Sequence, residues 1–187
     1  MNRYTYPTYT IQIKTILNIS KTNLWNNIST FKGVNKELYP LLQMTCPDEN
    51  IKLTKDLILI DENGYNNPLF TSYLLLFGFI PIEYDSICIV DVVEYSHFKE
   101  RSSMLLMSEW NHDRVLVDVE PPVQSDTNTN SNTDHVLVTD TLSFIPRLTF
   151  FGPILKYIVK FLFIHRHSRL IQQYNKGYHS VTTATFI

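Results

Sequence analysis

Cysteine is nearly missing from this chain. Cys46 and Cys88 are the only two in 187 residues, which excludes a disulfide framework and an all-cysteine metal site and suits a reducing compartment. Glycine is also sparse, at five residues, and neither a phosphate-cradling glycine loop nor a GxSxG turn occurs. No sign of charge dominates: 16 Lys and Arg against 18 Asp and Glu leave a net charge of -2. With no basic run outside residues 152–174, nucleic acid is not expected as a partner. The opening MNRYTYPTYT lacks the apolar core of a secretory signal, so a cytoplasmic location is expected. The apolar stretch 142–164 is interrupted by Pro146, Arg147, Gly152, Pro153, Lys156 and Lys160, and it is not expected to span a bilayer.

What the chain does have is apolar and aromatic residues, 44% and 13% of the total, enough for one sizeable core. One domain over 1–187 is expected. Its organising stretch is 152–174, GPILKYIVKFLFIHRHSRLIQQY, the longest helical pattern present. Pro153 suits the first helical position. Ile154, Leu155, Ile158, Phe161, Leu162 and His165 recur at helical spacing, and Lys156 and Lys160 sit on another face. The helix would be about 33 Å long. Tyr157, Val159, Phe163 and Ile164 widen its apolar arc beyond one stripe, so a large surface must cover it. Arg166, His167 and Arg169 fall in its last turns, where they are expected to complement the helix dipole or to bond carboxylates at the sheet edge.

Ahead of this helix, residues 8–19 alternate and are rich in β-branched side chains, predicting a strand. SKTNLWNNIST and GVNKELYPLL predict two short helices, the first capped by Ser20 and the second ended near Pro40. LLQMTC and LTKDLILI read as short strands, and LFTSYLLLFGFIP, apolar on both faces, as a strand buried mid-sheet. SICIVDVVEY, MLLMSEWNHDRVLVDV and HVLVTDTLSF predict further strands, with SHFKERSS breaking the pattern between the first two. Residues 120–134 are polar and poor in aromatics, predicting a mobile hairpin loop. The tail 175–187 has no helical period and is expected to fray. Strands gathered between helices indicate an α+β layer fold with an antiparallel sheet.

In EWNHDR, Trp110, His112 and Arg114 alternate and so share one face of a strand. That face is either the solvated convex side or the concave side, and in the second case a buried Arg114 needs a partner. Glu100 and Asp140 are the candidates, since pairing the strands about their polar loop brings Arg114 opposite Thr139 and Asp140. His165 and His167 are i and i+2 on a helix and cannot chelate one ion together. No metal and no cofactor is expected.

The chain resembles the helix-grip superfamily of START lipid-transfer domains, polyketide cyclases and birch-pollen-type allergens, the SRPBCC proteins. The segments that carry the resemblance are FTSYLLLFGFIP, FKERSS, EWNHDR, VTDTLSFIPR and FIHRHSRL. It implies a curved antiparallel sheet of about seven strands wrapped around a long C-terminal helix, with two short helices after strand one. It also implies a hydrophobic ligand, a small molecule or a lipid, held between sheet and helix.

The expected function is therefore non-enzymatic binding or transfer of such a ligand. Tyr73, Phe77, Trp110, Phe144, Tyr157 and Phe161 are expected to line the cavity, with the ligand body along Ile158, Phe161 and Leu162. Arg114, paired with Glu100 or Asp140, would anchor a polar head beside His112. The alternatives are a cyclase-like enzyme using Glu100, His112 and Arg114, and a membrane-surface or protein-interaction module touching its partner through Phe150, Phe151, Lys156 and Lys160.

Overall fold

Alternating apolar and polar residues in YTIQIKTILN bury Ile11, Ile13, Thr15 and Leu17 and leave their neighbours toward the surface, which makes Tyr9–Asn18 a strand, β1. The computed structural model describes residues 7–120, 134–175 and 182–187. After β1 come helices α1 (Lys21–Ile28) and α2 (Phe31–Leu38), each capped by a hydroxyl: Ser20 accepts from the Asn23 N–H and Thr30 from the Gly33 N–H. Then follow β2 (Leu42–Met44), β3 (Leu59–Ile60), β4 (Asn66–Asn67), β5 (Phe70–Leu76), β6 (Ile80–Ile87), β7 (Ile89–Val93), β8 (His97–Met104), β9 (Met107–Val119) and β10 (His135–Pro146). Helix α3 (Gly152–Tyr174) and a last strand, β11 (Thr182–Phe186), complete the order.

Nine strands form one antiparallel sheet in the order β11-β1-β10-β9-β8-β6-β5-β2, with β7 also paired to β8, and β3 and β4 form a separate two-stranded ribbon. The sheet wraps α3, an α+β helix-grip architecture. Two apolar clusters hold the layers together. One joins Leu24, Trp25 and Ile28 of α1 to Ile87, Ile89, Phe98, Leu116 and Leu170. The other joins Leu155, Val159 and Phe163 of α3 to Ile11, Ile13, Trp110, Leu142 and Phe144. Among the described residues no helix is long and apolar enough to cross a membrane.

Several elements differ from the sequence reading. LTKDLILI forms a single 3-10 turn and the two-residue β3 instead of a full strand. LFTSYLLLFGFIP is not one buried strand: it folds back at Phe77-Gly78 into the β5–β6 hairpin, with β5 second from the sheet edge. Phe77 and Gly78, in the three-residue connection 77–79, have positive φ, 53° and 82°, the left-handed region that lets the chain reverse tightly. SHFKERSS is not a break but most of β8, whose buried Phe98, Ser102 and Met104 alternate with half-buried polar residues. The tail carries β11, which pairs with β1 from Ile11–Phe186 to Thr15–Thr182. The loop reading at 120–134 falls largely outside the described residues.

Helix α3 is rotated one residue from its expected stripe. Leu155, Val159, Phe163, Arg166, His167 and Leu170 are buried, while Ile154, Tyr157, Ile158 and Phe161 are exposed. One residue is a turn of about 100°, and on a helix apolar nearly all round the sequence pattern does not select between adjacent stripes.

Candidate functional site

The inward face of β9 carries Trp110, His112, Arg114 and Leu116, all buried, and the outward face carries Asn111 and Asp113. Asp113 pairs with Arg101 on that outer side. Strand register sets Asp140 of β10 directly opposite Arg114. The Arg114 guanidinium donates from Nε to Asp140 Oδ1 at 2.7 Å and from Nη2 to Oδ2 at 2.7 Å. On its other side it forks onto Glu37 of α2, Nη1 to Oε1 at 2.9 Å and Nη2 to Oε2 at 3.0 Å. From α3, Arg166 donates through Nε to Glu37 Oε2 at 3.0 Å. His167 donates through Nε2 to Asp140 Oδ2 at 2.9 Å, and its Nδ1 lies 2.9 Å from Thr15 Oγ1. His112 completes the shell of Asp140, its Nε2 3.1 Å from Oδ1.

Asp140 thus accepts four hydrogen bonds, the full capacity of a carboxylate. Burial works to raise its pKa, but the Arg114 guanidinium and His112 outweigh burial and hold it well below the usual carboxylate range. Glu37 shows the same contest: burial pushes it up, and Arg114 and Arg166 bring it below its ordinary value. The network ties the sheet, α2 and α3 together.

In front of it, between the sheet and helices α2 and α3, lies a cavity of about 300 Å³. Phe31, Val34 and Leu38 wall it from α2, Leu42, Met44 and Leu74 from β2 and β5, and Met104, Met107 and Trp110 from β8 and β9. Leu155, Ile158, Val159, Leu162 and Phe163 close it from α3. Its ionisable groups are Glu83 and Asp85 of β6, Glu100 of β8, His112 and Arg166. The His112 ring is held edge-on against Phe98 and Phe163, with centroids 5.1 Å away on each side. Its Nδ1 faces Glu100 Oε2 at 3.7 Å.

The carboxyls of β6 and β8 divide their protons unequally. Burial raises Asp85 well above the ordinary range, and the neighbouring Glu100 raises it further. Burial also pushes Glu100 upward, but hydrogen bonding and charge from His112, with Ser102 and Asp85 donating to it, leave it below its ordinary value. Of the two, Asp85 is thus the one that holds a proton more firmly and Glu100 the one that ionises more readily. Glu83 is raised by burial despite accepting backbone N–H groups of Tyr84, Leu105 and Leu106.

The sequence model of a family described as a domain of unknown function, DUF8410, matches residues 15–174. The chain belongs to DUF8410. No functionally curated protein matches it. In three dimensions this DUF8410 chain is similar to a START superfamily protein from Mycobacterium smegmatis, at 10% identity and a TM-score of 0.57 over 90% of this chain and 98% of the other. A conserved protein from Geobacillus kaustophilus aligns at 12% identity and a TM-score of 0.53, over 91% and 98% of the two chains. A protein from Chromobacterium violaceum aligns at 10% identity and 0.53, over 88% and 96%. The DUF8410 chain has a START/SRPBCC-like fold.

Of the residues singled out from the sequence, Glu100, Trp110, His112, Ile158 and Leu162 line the cavity. Tyr73 and Phe77 do not, being 53% and 58% exposed, because Tyr73 faces out of the sheet and Phe77 forms the hairpin turn. Phe144 packs in the second apolar cluster against Tyr9 and Trp110. Tyr157 and Phe161 line a shallow groove on the outside of α3, a consequence of the helix rotation. Arg114 and Asp140 lie in the network behind the cavity, so Arg114 is no anchor for a ligand head. Glu100 faces His112 instead of Arg114. Of the two roles expected for Arg166 and His167, they take bonding to carboxylates, not at the sheet edge but buried in the network, on Glu37 and Asp140. Sequence reasoning missed Glu37 and Asp85. Nothing in KEL marks Glu37, whereas the alternation of Glu83, Asp85 and Ile87 in one face of β6 was available as a signal for an acidic inner row.

Proposed function

We propose that this protein binds a hydrophobic small molecule or lipid, without catalysing its conversion, in the cavity between the sheet and α3. The observation that carries this reading is the cavity itself: about 300 Å³ walled mostly by apolar side chains of both helices and the sheet, with a few ionisable groups among them. Cores of well-packed domains leave few voids larger than a water molecule, and ligand pockets combine apolar walls with a few placed polar groups. The whole of 1–187 is proposed to act as one ligand-binding domain, in the cytoplasm. A cyclase-like reaction through Glu100, His112 and Arg114 is less well supported, because Arg114 is 1% exposed and forked between two carboxylates.

The test is titration with the uncharged fluorophore N-phenyl-1-naphthylamine. Wild type is expected to bind one equivalent. Leu162→Trp, which fills the cavity, is expected to weaken binding by about tenfold or more, and Phe161→Ser, on the outside of α3, to leave it unchanged. Loss in Phe161→Ser with full binding in Leu162→Trp would move the site to the outer groove and overturn the reading.

A second reading, transient contact with a membrane surface, is favoured by the exposed row Ile154, Tyr157, Ile158 and Phe161 with Phe150 and Phe151 nearby. Lys156 and Lys160 flank that row, and their ammonium groups lie over the Phe186 ring at 5.2 and 4.5 Å. Cosedimentation with anionic liposomes is expected to fall on charge reversal at both lysines, and equal sedimentation would remove this reading.

A further inference from the structure

The cavity's polar groups differ in how much bonding capacity they have left. Arg166 is taken up by Glu37, and the Nε2 of His112 by Asp140. Both Glu83 oxygens accept backbone N–H groups of Leu105 and Leu106. Glu100 Oε1 accepts the Ser102 hydroxyl at 2.7 Å. What remains is Asp85, 4% exposed, whose Oδ1 is buried and has no hydrogen-bond partner among the described residues. Beside it stands Glu100, already bonded by Ser102, Asp85 and His112, its Oε2 3.7 Å from the His112 Nδ1. Among the described residues the unpartnered buried side-chain atoms of the cavity lining are thus Asp85 Oδ1, in an acidic group with Glu83 and Glu100, and the Ser29 hydroxyl at another part of the wall.

Resting on the cavity-binding reading above, we infer that the ligand carries a protonated amine on its apolar body and seats that ammonium between Asp85 and Glu100. An ammonium offers three donors and one positive charge, and here it meets acceptors in a site already walled from water, where charge-assisted hydrogen bonds are strong. A carboxylate head would add a further anion beside Glu83, Asp85 and Glu100, while the Arg166 guanidinium is already paired with Glu37 through Nε and Nη2. A hydroxyl head satisfies the Asp85 acceptor but brings no positive charge to a wall that carries three carboxyls. The resting site accommodates its own crowding of acids by keeping Asp85 protonated, and the arriving ammonium replaces that proton. Binding then releases one proton per amine and tightens as pH rises through the titration of Asp85. Burial, then Glu100 and Ser102 from β8 and Glu83 on the same strand, set this titration, and His112 from β9 and Arg166 from α3 also face the cavity.

The experiment is calorimetric titration of the full chain with decylamine, decan-1-ol and decanoate, whose tails match, in two buffers of different ionisation enthalpy. Decylamine is expected to bind at least about tenfold more tightly than decanoate, with a buffer-dependent heat that reports proton release. Asp85→Asn replaces a neutral acid by a neutral group of the same shape, so it should fold as wild type does. It is expected to lose the amine preference and the proton release while keeping its affinity for decanol. Decanoate binding as tightly as decylamine, or an unchanged amine preference in Asp85→Asn, would overturn the inference and leave cavity binding standing. If none of the three probes nor N-phenyl-1-naphthylamine binds, cavity binding itself fails and this inference with it.

Discussion

At Asp140 the cost of burying a charge is offset by bonding every lone pair. Its two oxygens take Arg114 twice, His112 once and His167 once. Asparagine there keeps one carbonyl oxygen and sets an amide N–H₂ against three cationic or donor neighbours. Removing one member of a buried ion pair strands the other, at about 3–5 kcal/mol. Asp140→Asn is therefore expected to lose stability of that order in urea denaturation, and a loss under about 1 kcal/mol would show that Arg114 finds a sufficient partner in Glu37 alone. This half of the network could be read from the sequence, because two long alternating strands across one loop fix their register and put Arg114 against Asp140. Glu37 could not. A charged residue on a short helix reads as solvated, and only the packing of α2 over the sheet turns it inward. Arg166 was legible only once the correct stripe of α3 was chosen, since it then interrupts the apolar run of Leu155, Val159, Phe163 and Leu170.

At the scale of elements, the turns and close approaches decide more than the apolar content does. Phe77 adopts a positive φ of 53° at an exposed hairpin tip, a conformation that costs an ordinary L residue roughly 1–2 kcal/mol and that asparagine tolerates. Phe77→Asn is expected to raise the melting temperature and leave probe binding in the cavity unchanged. A lowered melting temperature would mean that the Phe77 ring contributes packing its exposure does not suggest. Gly33 sits where α2 crosses the end of α1, and a Cβ there would lie 1.8 Å from the backbone oxygen of Asn27. Gly33→Ala is expected to abolish folding or to separate the two helices, seen as loss of the cooperative thermal transition, and a normal transition would contradict that approach. The order of helices and long strands was legible because periods of 2 and 3.6 persist over β1, β9, β10 and α3. The β5–β6 hairpin was not, since Phe-Gly lacks the usual asparagine or aspartate signal and the flanking run is apolar on both faces. The last strand escaped notice because Thr182–Phe186 is short and lies at the edge, its order supplied by pairing to β1 and not by its own pattern.

For the whole molecule, the two sets of buried carboxyls act on stability in opposite directions of pH. Burial opposes ionisation of Glu37, Asp140 and Glu100, yet their cationic and donor neighbours hold all three below the ordinary carboxylate range. Unfolding releases them to values of about 4, where they bind protons more readily, so their contribution is full above about pH 4 and disappears as pH falls through the folded values. Asp85 and Glu83 are raised, chiefly by burial. For these two the folded chain holds protons that the unfolded chain has given up. Their contribution is full below about pH 4 and is lost as pH rises through their raised values. Stability should therefore pass through a maximum on the acid side of neutrality and decline on both sides. Asp85→Asn keeps the neutral hydrogen-bonding shape and removes the larger of the two upward-shifted groups, so it is expected to flatten the high-pH limb and leave the acid limb in place. Denaturation midpoints of wild type and variant across both limbs measure this directly. The two curves should converge below about pH 4 and separate above it, the variant becoming the more stable. Parallel curves throughout would mean that Asp85 is ionised in the folded chain, and the acidic side of the cavity would then carry two negative charges before any ligand enters.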